Sequence, residues 1–88
     1  DEDGEVLVRE ALFGGKAELE EMSTQQVVYA CQLLKNKDET GMLRRVNFLC
    51  CMLEQEGGAA IGDMLKHNDW LEYLKLSGTY LDGLHVLE

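Results

Sequence analysis

Two adjacent cysteines, Cys50 and Cys51, sit inside the run Phe48-Leu49-Cys50-Cys51-Met52-Leu53, and a third thiol stands at Cys31. Paired thiols can hold a metal, exchange disulfides or act as nucleophiles. A structural zinc site uses pairs such as C-x₂₋₄-C with a second pair or histidines at a defined spacing. Cys50 and Cys51 are direct neighbours, which a helix would point about 100° apart, so they cannot clasp one ion. His67 and His85 have 17 residues between them and no H-E-x-x-H pattern around them. A nucleophilic thiol needs a helix N-terminus or a cation to lower its pKa. Here Leu and Met flank the pair, and a buried free cysteine behaves as a small hydrophobe. All three thiols are therefore expected to serve packing, with an exposed, oxidisable sulfur as the competing reading.

Other chemistry is equally thin. No spacing singles out a catalytic carboxylate pair, and Asp63, Asp69 and Glu72 read as helix-surface or cap residues. The EF-hand loop pattern is absent. Gly14-Gly15 and Gly57-Gly58 lack the context that cradles phosphates and read as helix stops. With no G-x-S-x-G either, the expectation is a non-enzymatic chain without metal or cofactor.

The elements that position these residues follow from composition and period. Eighty-eight residues make one domain near the lower limit for a self-sufficient core. There is no proline, and Ala, Leu, Glu, Met, Gln and Lys are plentiful, which favours helices joined by glycine turns. Residues 5–13 place Val6, Leu7, Ala11 and Leu12 at helical offsets before Gly14-Gly15. KAELEEM is a turn of helix or a connector. Ser23 and Gln26 then form a capping box, opening a helix with Val27, Ala30, Cys31 and Leu34 on one stripe. Asp38 or Thr40 caps the next helix, which spans about Gly41 to Gln55 and is apolar all round from Phe48 to Leu53. A helix without a polar face must be surrounded. Ile61, Met64 and Leu65 face inward on a fourth helix. Asn68 or Asp69 caps a fifth, with Trp70, Leu71 and Leu74 on its stripe. The tail from Thr79 is read as a last short helix, with a hairpin turning at Asp82-Gly83 as the alternative. No clear internal repeat is read.

The expected fold is thus all-α, a compact bundle of four to six short helices around a central buried helix at 41–55. It is taken as a single domain, residues 1–88, cut from a longer chain, with residues 1–4 frayed. Replacing Leu49 or Leu53 by Ala is expected to cost about 2–5 kcal/mol.

Net charge −9 argues against general attraction to nucleic acid or anionic lipid. The charge is uneven: −6 over residues 1–22, +2 over 23–53 and −5 over 54–88. No apolar stretch approaches the ~20 residues of a membrane span. Three cysteines make an odd set and not a disulfide framework, which suggests a reducing compartment, cytoplasm or nucleus. Function is expected to be protein–protein interaction or self-association through an apolar and aromatic face. Arg44, Arg45, Phe48, Met52, Trp70 and Tyr73 are the expected partner-binding residues. The alternative is a nucleic-acid-associated assembly domain using the weakly basic middle, Lys35, Lys37, Arg44 and Arg45.

Overall fold

The computed structural model describes residues 2–81 and 85–87, with side chains placed through Gly78. The chain is not an all-α bundle. It alternates helices with strands, in the order α1 (Glu2–Phe13), β1 (Glu18–Glu20), α2 (Thr24–Leu34), α3 (Lys37–Thr40), β2 (Arg45–Leu49), α4 (Glu54–His67), β3 (Tyr73–Ser77), β4 (Thr79–Leu81) and β5 (His85–Leu87). Strands β1, β2 and β3 form one parallel sheet in sequence order, so this is an α+β fold. Strands β4 and β5 pair antiparallel, which corrects the helical reading of the tail in favour of the hairpin. The proposed turn at Asp82-Gly83 lies outside the described residues.

The central correction falls on residues 41–55. Gly41 closes the short α3, the backbone extends from Arg45 to Leu49, and a helix begins only at Glu54. Val46 and Phe48 point into the core, while Arg45 is exposed and Asn47 and Leu49 are half-buried. That alternation of branched and aromatic residues suits a strand. A short apolar run cannot be told from a buried helix by periodicity alone, and both strands that pair with this one lie far away in sequence. The following residues are not dry on every side either: Cys51 and Leu53 are buried, whereas Cys50 and Met52 are exposed.

Gly57-Gly58 does not stop a helix but lies inside α4. Each glycine costs a helix about 1 kcal/mol relative to Ala, so packing must hold α4. Ile61 and Met64 supply it, buried with Gly57, although Leu65, expected inward, is exposed. Residues 70–76 likewise give β3 and not a fifth helix. The Asn68 carboxamide oxygen accepts from the amides of Trp70 (2.9 Å) and Leu71 (2.8 Å), which turns the chain into the strand.

Of the other local expectations, those for α2 hold and those for the stripe on α1 and the next cap do not. Ser23 Oγ accepts from the Gln26 amide at 3.2 Å and Gln26 Oε1 accepts from the Ser23 amide at 2.9 Å, completing the capping box. Val27, Ala30, Cys31 and Leu34 are all buried on α2. On α1 the buried pair is Val8 and Leu12, while Val6 and Leu7 are exposed. Asn36, not Asp38 or Thr40, caps α3, its side chain accepting from the Asp38 amide at 3.1 Å. Thr40 is buried, its hydroxyl 3.0 Å from the Leu33 carbonyl oxygen and 2.9 Å from that of Asn36.

An internal repeat organises the layers. Glu18 stands opposite Asn47 in the ladder, and Arg45 opposite Tyr73, giving offsets of 29 and 28 residues. The residue just after each of β1, β2 and β3 has a left-handed φ: Glu21 (54°), Cys50 (54°) and Gly78 (60°). One strand plus one helix in about 20–29 residues is a solenoid period. The buried columns run across the strands as Ala17-Val46-Leu74 and Leu19-Phe48-Leu76, closing on Val8 and Leu12 of α1, Val27 and Leu34 of α2, and Ile61 and Met64 of α4. Helices therefore line one face of the sheet.

Candidate protein-binding face

The other face of the sheet carries the side chains that alternate outward. Glu18 and Glu20 come from β1, Arg45, Asn47 and Leu49 from β2, and Tyr73, Lys75 and Ser77 from β3. Register arranges them in rows: Arg45 beside Tyr73, then Glu18-Asn47-Lys75, then Glu20-Leu49-Ser77. Glu18, Glu20, Arg45, Tyr73 and Lys75 are exposed, so among the described residues no element covers this face. The Arg45 guanidinium lies 5.5 Å from the Tyr73 ring centroid, a cation–π contact. A depression of about 490 Å³ opens at the first two rows, lined by Lys16, Glu18, Arg45, Asn47, Tyr73 and Lys75. The Oδ1 atom of Asn47, one of its lining residues, is buried and has no hydrogen-bond partner among the described residues.

Two of the six residues expected to bind a partner thus meet on one surface, Arg45 and Tyr73. Arg44 is next in sequence but faces elsewhere, its Nε 3.8 Å from Glu72 Oε2 and its Nη1 donating to the Gly41 carbonyl oxygen. Trp70 is a core-side residue, 9% exposed, with Lys37 Nζ 6.0 Å from its ring centroid. It borders a separate hollow with Lys37, Arg44 and Glu72. Trp70 and Tyr73 do not share the face that a helix would have given them, because the chain straightens into β3 between them. Phe48 is wholly buried beneath the sheet, and Met52 is exposed just beyond the end of β2.

The cysteines separate by environment. Cys31 is buried, and desolvation pushes its thiol up to about 12 despite the nearby Lys35. Burial also raises the Cys51 thiol above its ordinary value. Its Sγ–H donates to the Leu19 carbonyl oxygen at 3.2 Å. Cys50 is exposed, so one of the three sulfurs does not serve the core. Among the described residues no group of three His, Cys, Asp or Glu side chains is placed to hold a metal ion.

Sequence reasoning missed Lys16, Glu18, Asn47 and Lys75. Their signal was the strand register, which would have required reading Leu43-x₂-Val46-x-Phe48-x₂-Cys51-x-Leu53 against Leu71-x₂-Leu74-x-Leu76-x₂-Thr79-x-Leu81, 28 residues on. No family model matches the chain, and no curated protein or solved structure is significantly similar to it.

Proposed function

We propose that this chain is a non-enzymatic protein-interaction module that receives another protein, or a second copy of itself, on the open face of its parallel sheet. One observation carries the reading: a parallel sheet packed by helices on one side and, among the described residues, bare on the other. Parallel sheets occur almost only with both faces covered, so the bare face stands ready for an outside element. Its centre offers Tyr73 and Arg45, two residue types enriched at protein interfaces. Strand register holds them in place, which lowers the ordering cost of binding.

The nucleic-acid alternative loses its basic surface. Lys35 Nζ is committed to Asp63 Oδ2 at 2.7 Å, Arg44 to Glu72, and Lys37 to the Trp70 ring. Of the four cations of the middle segment, Arg45 alone stands on the sheet face. Among the described residues, no helix is long and apolar enough to cross a membrane. An exposed thiol at Cys50 suits a reducing intracellular compartment.

Photocrosslinking tests the reading. A benzophenone amino acid at Leu49, on the open face, is expected to capture a partner or a second copy, whereas the same group at Gln32, exposed on α2, is expected to capture neither. Capture from Gln32 alone would contradict it.

A further inference from the structure

We infer that the depression at the centre of the sheet face is a carboxylate-binding pocket that seats an acidic segment of the partner protein. The inference rests on the reading above and names what that face recognises. Lys16, Arg45 and Lys75 line the depression, and none of them makes an ion pair among the described residues. Elsewhere Arg9 pairs with Glu39 at 3.1 Å, Lys35 with Asp63 at 2.7 Å and Arg44 with Glu72 at 3.8 Å, while Lys37 lies against the Trp70 ring and Lys66 on α4 has no ion pair among the described residues. A chain of net charge −9 has no shortage of carboxylates. It nonetheless gathers three cations without ion pairs around one hollow whose only acid among the described residues is Glu18.

The Arg45 guanidinium carbon lies 5.5 Å from the Tyr73 ring centroid, and a guanidinium fork matches the two oxygens of a carboxylate. A hollow of about 490 Å³ has room for one or two side chains. Glu18 and Glu20 along β1 repel anions on their side of the face, so a bound carboxylate is directed to the Lys16–Arg45–Lys75 side.

The test is an NMR titration of the whole chain with acetyl-hexaglutamate amide, alongside the hexaglutamine peptide, inorganic phosphate and an eight-residue oligothymidylate. Hexaglutamate is expected to shift the amides of residues 16, 45, 47, 73 and 75, and to weaken as salt screens the charges. Lys16→Glu and Lys75→Glu are each expected to weaken it about tenfold, with Lys75→Arg restoring it and the unbound spectrum keeping its dispersion. Equal shifts from hexaglutamine, or stronger ones from phosphate or the oligothymidylate, would overturn the carboxylate assignment. The Leu49 crosslinker separates the two levels. Capture that excess hexaglutamate abolishes supports the pocket. Capture that it leaves untouched overturns the pocket and keeps the docking face, and no capture at all removes both.

Discussion

The thiol of Cys51, just past the end of β2, donates to the carbonyl oxygen of Leu19 in the middle of β1, at 3.2 Å. One repeat unit is thereby tied to the backbone of the unit before it. The contact answers the chemical question that the adjacent cysteines raise. Cys51 is an interior side chain with a weak donor, and its neighbour Cys50 takes the left-handed turn that aims it inward.

Thiol reactivity should divide accordingly. In the native protein a maleimide is expected to label Cys50 quickly, because it is exposed, and to leave Cys31 and Cys51 unlabelled until denaturant is added. Mass spectrometry of peptides after timed labelling checks this. Labelling of all three at one rate would contradict the packing.

Alkaline pH should destabilise the fold. The folded Cys31 thiol ionises only near 12, against about 9 ordinarily, so the unfolded chain loses its proton first as pH rises. Stability from this group is complete below about 9 and is lost as pH climbs towards about 12, by up to tenfold in the folding constant per pH unit. Cys51 is shifted in the same direction and adds to the effect. Urea unfolding between pH 8 and 10.5, compared with Cys31→Ala, isolates the contribution, and a slope unchanged in the variant would count against it.

Core substitutions distinguish strand from helix at the centre of the chain. Phe48→Ala should cost about 3–5 kcal/mol and Leu53→Ala about 2–5 kcal/mol, since both are buried. Leu49→Ala should cost only about 1 kcal/mol, because Leu49 is half-buried on the open face. A central buried helix would make all three comparably severe. Denaturant midpoints decide between the two.

What the sequence showed depended on range. The Ser23–Gln26 capping box, the α2 stripe and the tightly buried core of Leu34, Met64 and Leu53 were legible because each rests on neighbours within a few residues. The strands were not. β1 is three residues long, and β2 and β3 are five each, with partners 28 or 29 residues away. Val46 to Leu53 read as a helix because local period cannot report a neighbouring strand. The candidate face shared that fate. Arg45 and Tyr73 were flagged by residue type, whereas Lys16, Asn47 and Lys75 join them only through register.

The turn after each strand supplies a coupled test. A Cβ on Gly78, at φ 60°, would stand 3.2 Å from Cys50 Sγ. Gly78→Ala is expected to cost about 1–2 kcal/mol, through the left-handed backbone and this approach together. Cys50→Gly frees its own left-handed position and removes the sulfur, so Gly78→Ala should cost less in that background. Additive effects in the double-mutant cycle would show that the two turns do not touch.

The central feature of the fold is three strands lying side by side in parallel, with one face bare among the described residues. Through-space NMR contacts between backbone protons measure this directly. The structure calls for contacts linking residue 19 with 48 and 48 with 76, without helical i to i+3 contacts over residues 45–52. Continuous i to i+3 contacts through that segment, with none between the distant pairs, would contradict it.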